Sequence, residues 1–292
     1  MLLITGVTGT AGSIVIREFA HQQVEVRALV RDSTKAHWLG AFPTVEVVQG
    51  DMANPATLNE AFEGIDRAFM ISSPRGDMVS TQCRFIDAAK ASGVRHVIKL
   101  SGKESGTAFD PNKFRGTREH LQIERYLEAS GLEWTHLRPS QFMQFYLPSA
   151  ITGVDPQKNA LVMPIGENQL SPVDLADIAK VAVAMMRADG IEGKAYEITG
   201  PEALTMAQIT EIISTATGRA FRYQHVTFEK KRQLHAAQGF PPEVIETLDD
   251  IYRERANSPQ SRVDLSTHEA FGVQPTTFAT FAHGNAAAFV AS

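Results

Sequence analysis

Three glycines near the start of the chain, Gly6, Gly9 and Gly12, have the spacing of a turn that binds phosphate. They lie between an apolar run, residues 2–4, that is typical of a buried strand and a segment, residues 13–19, that predicts a helix. Glycine lets backbone amides approach a diphosphate without a Cβ in the way, and the N-terminus of the helix presents unpaired N–H groups. The spacing is one residue wider than the standard dinucleotide fingerprint. We therefore predict a diphosphate site at this turn, with a glycine-rich turn that binds nothing as the alternative.

Basic side chains follow the second apolar run, VEVRALVRD, where a dinucleotide fold meets the adenosine ribose. An acidic residue there would accept hydrogen bonds from both ribose hydroxyls, whereas Arg31 and Lys35 could pair with a 2′-phosphate. This pattern favours NADP(H) over NAD(H). Asp32 could also reach the ribose, but it is better placed to cap the following helix. A solvated rim is the alternative for the two basic residues.

Turn segments after the third and fourth predicted strands could line the same groove. Asp51, in VVQGDM, could accept a hydrogen bond from the adenine amino group, although a turn-capping role is equally open. The Ser-Ser-Pro turn could place backbone and hydroxyl groups beside the nicotinamide ribose, or be a turn only. The candidates in these two turns are Asp51, Met52, Ser72, Ser73 and Pro74.

Composition excludes several classes of protein. A net charge of -5 over 292 residues argues against nucleic acid or an anionic membrane as the main partner. No apolar run approaches the roughly 18 residues of a membrane helix, and the first strand begins at once, so we expect a cytoplasmic protein. The one cysteine, Cys83, excludes an internal disulfide, and no grouping of histidine, cysteine and aspartate has metal spacing. A homodimer through exposed helices is compatible with the sequence.

The elements that must position these residues alternate between strand-like and helix-like segments up to Arg138. Six strands separated by helices predict right-handed βαβ units and a doubly wound parallel Rossmann sheet of the α/β class. After residue 139 the alternation ends. We predict a cofactor-binding Rossmann domain over residues 1–139, and over residues 140–292 a smaller α/β lobe that binds substrate and returns segments to the sheet. Thr57 with Glu60, and Thr205 with Gln208, have the spacing of capping boxes.

Several motifs in sequence order carry a resemblance to a known family. TGVTGTAG, VRALVRD, GDM, the Ser-Ser-Pro turn, LRPSQFMQ, SPVDLADIA and YEITGPEALT resemble the NmrA-like branch of the atypical short-chain dehydrogenase/reductases, over about residues 1–255. Within it, the sequence is most similar to the triphenylmethane reductase and NADPH-dependent quinone oxidoreductase group. The resemblance implies that NADP(H) binds at the turn and the basic pair, for which the candidate positions are Gly6, Thr8, Gly9, Thr10, Ala11, Gly12, Arg31 and Lys35.

The resemblance also shows what this chain lacks. Ordinary members of the superfamily carry a Tyr-x-x-x-Lys pair after the fifth strand, in which the lysine lowers the tyrosine pKa so that the phenol can protonate a carbonyl oxygen. When HLQIE is aligned with this helix, His120 takes the lysine position and Gly116 the tyrosine position. Ser101 stands roughly where the superfamily keeps its serine, and it is, with His120, a candidate catalytic residue. Related isoflavone-reductase-like enzymes carry a lysine at the position aligned with His120.

A cleft without this tyrosine suits an acceptor whose hydride adduct is already stabilised, such as a quinone or a cationic dye. We predict that His120 hydrogen-bonds the substrate or supplies a late proton, because the usual pKa of histidine, about 6.5, suits that task. The alternative is that His120 only packs, or bonds Glu124 one helical turn along.

The segment QFMQFYLP, immediately after LRP, could form the wall of a pocket for a flat aromatic substrate. Core packing is the alternative for its large side chains, while Gln144 could hold a carbonyl group. The candidate pocket residues are Phe142, Met143, Gln144 and Tyr146. Asp174 and Asp177 fit the start of a helix better than acid–base chemistry.

These observations favour a soluble NADPH-dependent reductase of quinone-like or conjugated aromatic acceptors. A regulatory protein of NmrA type, which senses NADP(H) and binds a protein partner without catalysis, is the alternative, because the Tyr-Lys pair is missing. A sugar-nucleotide epimerase or dehydratase is disfavoured, since those reactions depend on the absent tyrosine.

Overall fold

A parallel sheet lies at the centre of the protein, which a computed structural model describes for residues 1–73, 76–102, 110–257 and 262–291. The strands are β1 (Leu2–Ile4), β2 (Val26–Val30), β3 (Val45–Gln49), β4 (Arg67–Met70), β5 (His96–Leu100), β6 (Glu133–Pro139), β7 (Ala160–Met163), β8 (Lys194–Ile198) and β9 (Arg222–His225). The order in the central sheet is β3-β2-β1-β4-β5-β6-β8, and all its pairings are parallel. The chain therefore winds outward from β1 in both directions, and the predicted doubly wound α/β fold is confirmed.

Helices cover both faces of this sheet because alternate residues of each strand point to opposite sides. The helices are α1 (Thr10–His21), α2 (Asn59–Phe62), α3 (Met78–Ala91), α4 (Arg115–Ala129), α5 (Leu175–Arg187), α6 (Met206–Thr217), α7 (Phe228–Ala237), α8 (Pro242–Ala256), α9 (Ser266–Ala270), α10 (Phe278–Gly284) and α11 (Ala286–Val290). Leu3 of β1 packs in one apolar cluster with Phe85 of α3, whereas Ile4 packs in another with Val15 of α1. In the described ranges, no helix has the length and apolar character needed to cross a bilayer.

A third apolar cluster forms the core of the C-terminal part of the chain. It surrounds the separate two-stranded parallel sheet of β7 and β9, and its members include Tyr146, Met206 and Phe278. Two elements from this half belong to the central layers instead, because β8 extends the main sheet beside β6 and α5 packs against α1. The domain boundary at residues 139 and 140 stays a prediction.

One of the two expected capping boxes is present. Thr205 and Gln208 hydrogen-bond each other's backbone at the start of α6, so this box is confirmed. The box of Thr57 with Glu60 is wrong. The hydroxyl of Thr57 donates to the Asn54 carbonyl and accepts from the Asp51 N–H, so it is used in a 3-10 turn before α2 begins.

The glycine turn packs tightly between β1 and α1. A Cβ on Gly12 would overlap the carbonyl oxygen of Gly6, and one on Gly6, whose φ is +66°, would lie 2.6 Å from the Ile71 carbonyl oxygen. These two glycines therefore allow α1 to begin close to the end of the sheet. Gly9 is different, because a Cβ there would meet only one atom within 4 Å, the Gly6 carbonyl oxygen at 3.3 Å.

We expect Gly12→Ala to lower the free energy of unfolding by about 3 kcal/mol, since the new methyl group overlaps backbone that cannot rotate away. Chemical denaturation of the variant and the unmodified protein measures this. Gly40→Ala is the matched control, because a Cβ there meets no atom within 4 Å, and its effect should stay within about 0.5 kcal/mol. Equal stability of the two alanine variants would contradict the packing described here.

Candidate active site

The glycine turn presents backbone groups at the carboxyl edge of the sheet. Thr8, Gly9 and Thr10 are exposed, and Gly9 caps α1 without a side chain, so the first N–H groups of this helix have no side-chain partner. Unpaired N–H groups and the positive end of a helix dipole form a site for an anion. The turn also lies between β1 and β4, where the strand order reverses and ligands of open α/β sheets bind.

Two basic side chains flank this turn at the end of β2. Arg31 and Lys35 are both exposed, and among the described residues no carboxylate lies within ion-pair distance of the Arg31 guanidinium. Asp32 caps the following 3-10 helix by accepting from the N–H of Thr34 at 3.0 Å, so its predicted capping role is confirmed. The hydrogen bonds from Thr34 lower the pKa of Asp32 and hold its carboxylate in that role.

The turns after β3 and β4 occupy the same edge of the sheet. Asp51 accepts from the N–H of Ala53 at 3.0 Å, which is the turn-capping role, while Met52 is buried in the apolar cluster under α3. The Ser72 hydroxyl accepts from the Gln82 amide at 2.7 Å, and Ser73 is exposed. Pro74 lies outside the described residues. Binding of adenine and ribose at these turns stays a prediction.

A buried ion pair joins α4 to the ends of β5 and β6. Arg138 donates to both carboxylate oxygens of Glu124, at 3.1 and 2.6 Å, and the Ser101 hydroxyl donates to the same carboxylate at 2.6 Å. The side chain of Glu124 is 1% exposed and that of Arg138 is 17% exposed. Burial alone would raise the pKa of Glu124, but the hydrogen bonds from Arg138 and Ser101 lower it. The Ser101 proton, predicted to serve catalysis, is therefore directed at Glu124 in this structure.

His120 lies one helical turn before Glu124 and contacts Lys99 within β5. Its Nδ1 is 2.9 Å from the Nζ of Lys99, so the alternative of a His120–Glu124 hydrogen bond is wrong. Its Nε2 faces Gly102, where a Cβ would overlap the imidazole. Burial and the neighbouring Lys99 lower the pKa of His120 well below its usual value. His120 is therefore a neutral imidazole at physiological pH.

The predicted pocket residues have different surroundings. Met143 and Tyr146 are almost wholly buried in the C-terminal core, where Tyr146 packs edge-on against Phe278, so their burial matches the core-packing alternative. Gln144 donates to the Asp174 carboxylate at 2.6 Å and accepts from the N–H of Leu175 at 3.1 Å. Its amide is thus used at the start of α5 rather than for a ligand in this structure.

Phe142 is half-buried at the end of the central sheet and stays a candidate pocket residue. The helix-start role of Asp174 is confirmed, since it accepts from the N–H of Ala176. Asp177 lies in the first turn of the same helix, but its carboxylate binds the N–H and hydroxyl of Thr276.

Two further polar side chains, Lys99 and Gln141, lie at this edge of the sheet and were not predicted from the sequence. Gln141, 2% exposed and two residues beyond the end of β6, has no hydrogen-bond partner for either amide atom in the described part of the chain. Lys99, 0% exposed, stands in the apolar run HVIKL of β5. A charged residue within an apolar strand pattern is unusual, so the position of Lys99 could have been recognised from the sequence. Nothing in the sequence distinguished Gln141 from Gln144.

Two groups of histidine and acidic residues have ligand atoms within 4.8 Å of one another in the described ranges. One of them contains Glu133, bound by Arg95, and the other contains Glu124, bound by Arg138. Arginine thus already balances a carboxylate in each group. The expectation that the protein needs no metal stays a prediction.

A comparison with protein families identifies the chain. The model of the NmrA-like family matches residues 1–282. The chain belongs to the NmrA-like family. The family resemblance inferred from the motifs is therefore confirmed.

Known relatives of this NmrA-like protein include enzymes. It is 34% identical over 299 residues to an NAD(P)H azoreductase from Xenophilus azovorans, with 100% of each chain covered. It is 26% identical to the NADPH-dependent quinone oxidoreductase of Escherichia coli in complex with NADPH, with a TM-score of 0.84 over 97% of this chain and 99% of that one.

Two solved structures with lower identity share the fold. The triphenylmethane reductase of a Citrobacter species, complexed with NADP(H), is 23% identical, with a TM-score of 0.84 over 98% of this NmrA-like protein and all of that chain. The negative transcriptional regulator NmrA, complexed with NAD, is 20% identical, with a TM-score of 0.75 over 97% and 94% of the two chains. The homodimer and the cytoplasmic location stay predictions.

We expect Glu124→Gln to destabilise the protein by about 3 kcal/mol at neutral pH, because it removes the buried carboxylate to which both Arg138 and Ser101 donate. Glu119→Gln, on the same helix, is the control. Glu119 lies 3.8 Å from the half-exposed Arg115, and its loss should cost at most about 1 kcal/mol.

The loss of unfolding free energy in Glu124→Gln should be large at neutral pH and become smaller as the pH falls. A lowered pKa in the folded state stabilises the protein above the ordinary glutamate pKa of 4.5, and this contribution is lost as the pH falls through the folded value. Unfolding curves at several pH values should therefore converge at acid pH. A deficit that is constant with pH would contradict an ionised Glu124.

Proposed function

We propose that this protein is a reductase that transfers hydride from NADPH to quinone-like or conjugated aromatic acceptors. The observation that carries the proposal is the position of the glycine turn. It lies at the carboxyl end of β1, where the strand order of the sheet reverses between β1 and β4, and the exposed Arg31 and Lys35 follow the neighbouring strand β2. The azoreductase relative and the quinone oxidoreductase, both named for NAD(P)H-dependent reduction, support an oxidoreductase that uses NADP(H).

The residues at the turn fit a dinucleotide. The exposed backbone of residues 8–10 and the N-terminus of α1 would hold the diphosphate, because nothing projects from Gly9 to block a close approach. Arg31 and Lys35 would pair with the 2′-phosphate. When bound, NADPH supplies the hydride.

The acceptor side of the site explains the preference for conjugated substrates. Gly116 on α4 provides no phenol, and His120 is neutral because burial lowers its pKa. A neutral imidazole is too weak an acid to protonate a carbonyl oxygen while hydride is transferred, so an acceptor whose adduct is stable until a later protonation is favoured. The unpartnered amide of Gln141 would hold the polar atom of such an acceptor, and the half-buried ring of Phe142 would contact its flat face.

The test is NADPH oxidation by the purified protein with quinones, azo dyes, triphenylmethane dyes, enones and simple ketones. We expect kcat/KM for the best quinone or dye to exceed that for simple ketones by about 100-fold or more, since a general acid contributes at least that factor to ketone reduction. Gln141→Leu should raise KM for the acceptor and leave the Kd of NADPH unchanged.

The regulator alternative predicts a different result from the same assay. The absence of a tyrosine at Gly116 favours it, and it requires tight NADPH binding with no acceleration of oxidation by any acceptor. That result would contradict the proposed reductase.

We expect Arg31→Ala to weaken binding of NADPH more than binding of NADH, by about 1 to 3 kcal/mol, if its guanidinium pairs with the 2′-phosphate. Titrations of both cofactors, followed by fluorescence, measure the difference. Arg125→Ala is the control, because Arg125 is an exposed arginine of α4, and it should change neither Kd. Equal losses for the two cofactors would remove the basis for NADP(H) preference.

A further inference from the structure

We propose that Lys99 is a positioning residue that fixes the tautomer of His120 and supplies, through it, the proton that the reduced acceptor takes up. The inference rests on the proposed reductase function and deepens it. It gives a role to a buried lysine that neither the fold nor the cofactor site requires.

The geometry joins the two side chains directly. Lys99 lies on β5 and His120 on α4, and the Lys99 Nζ is 2.9 Å from the His120 Nδ1. The other contact of Nζ is the Leu100 carbonyl oxygen at 3.5 Å, and among the described residues no carboxylate oxygen lies within 4 Å of it. A buried ammonium without a carboxylate is costly, so packing alone does not account for a lysine here.

Hydrogen-bond chemistry then determines the state of the imidazole. While Lys99 is protonated its ammonium group can only donate, so Nδ1 of His120 accepts and the ring proton is on Nε2. Nε2 faces Gly102, an exposed residue two positions beyond the carboxyl end of β5. The donor atom of His120 is thus presented at the edge where ligands of this fold bind.

Burial is the main reason that Lys99 holds its proton loosely. Burial lowers the pKa of Lys99 to about 7, although Glu124 on α4 favours the ammonium form, and Arg138 on β6 opposes it further. His136 on β6 also senses the Lys99 charge and has a lowered pKa, chiefly through burial. The protonated Lys99 in turn lowers the pKa of His120. A proton therefore resides on Lys99 beside a neutral imidazole.

The proton moves after hydride has reached the acceptor. Hydride addition to a neutral quinone, enone or azo group brings two electrons and leaves a negative charge on its oxygen or nitrogen atom. That atom forms a bond to the Nε2 proton of His120, while Nδ1 takes a proton from the Lys99 ammonium. The imidazole remains neutral with its proton moved to Nδ1, and Lys99 becomes a neutral amine. Solvent then returns a proton to Lys99, and the imidazole reverts to the Nε2 tautomer.

Lys99→Met tests this role in kinetics. In the unmodified protein, kcat should fall as the pH rises through about 7, because only protonated Lys99 can supply the proton. In the variant, kcat should be about 100-fold lower at acid pH and should not change across the same range, with the Kd of NADPH unaltered. The melting temperature should not fall, because the substitution removes a buried charge, whereas a lysine with a purely structural role would show loss of stability.

Lys158→Met is the matched control. Lys158 is exposed and pairs with Asp155 at 2.9 Å, away from the site, so its kcat and pH profile should equal those of the unmodified protein. A Lys99→Met variant that keeps the original pH profile and rate would overturn the relay while leaving the reductase function intact. Failure of the unmodified protein to reduce any acceptor would count against the reductase function instead.

A second measurement is independent of turnover and of variants. NMR of the unmodified protein with labelled histidine ring nitrogens should show His120 neutral and protonated on Nε2 at pH values below about 7, where Lys99 carries its proton. In Lys99→Met, the pKa of His120 should rise, because the neighbouring positive charge is gone. A proton on Nδ1 of neutral His120 below about pH 7 in the unmodified protein would overturn the assignment.

Discussion

A buried ion pair holds helix α4 over the edge of the central sheet, and the arrangement of the site depends on it. Arg138 of β6 and Ser101 beyond β5 both donate to Glu124, so two adjacent strands and one helix meet at a single carboxylate. One turn earlier on α4, His120 is thereby held between Lys99 and Gly102. Buried ion pairs contribute little net stability compared with apolar packing, but they impose a single geometry when every partner is satisfied. We infer that the role of the Arg138–Glu124 ion pair is to fix the position of α4 over the sheet rather than to add net stability.

The parallel sheet brings two chemical environments to the same edge. The glycine turn after β1 offers backbone N–H groups to an anion, while the ends of β5 and β6 carry the polar side chains of the acceptor side. Because all strands of the central sheet run in one direction, their carboxyl ends must face the same crevice. A hydride donor and an acceptor can therefore meet without any element moving far. Gly12 is part of this arrangement, since α1 could not begin so near the sheet with a larger residue there.

The strands and helices of the central sheet could be predicted from the sequence, because apolar runs and glycine positions are local signals. The site could not be predicted in the same way, because it depends on which side chains contact each other in the folded chain. Asp32 and Asp174 were recognised as caps from their place before a helix, and both accept the expected backbone N–H groups. Gln144 and Gln141 are three residues apart in one segment, yet the amide of Gln144 is used at the start of α5 and that of Gln141 is unpartnered. Only the course of the chain after β6 decides between them. Lys99 was overlooked because a lysine is usually exposed, and its burial follows from the position of α4.

A structure of the protein with NADPH bound would test this arrangement most directly. We predict diphosphate oxygens about 3 Å from backbone N–H groups at residues 9–12, the 2′-phosphate against Arg31, and the nicotinamide near His120 and Gln141. A diphosphate bound away from this turn, or a nicotinamide remote from His120 and Gln141, would contradict it.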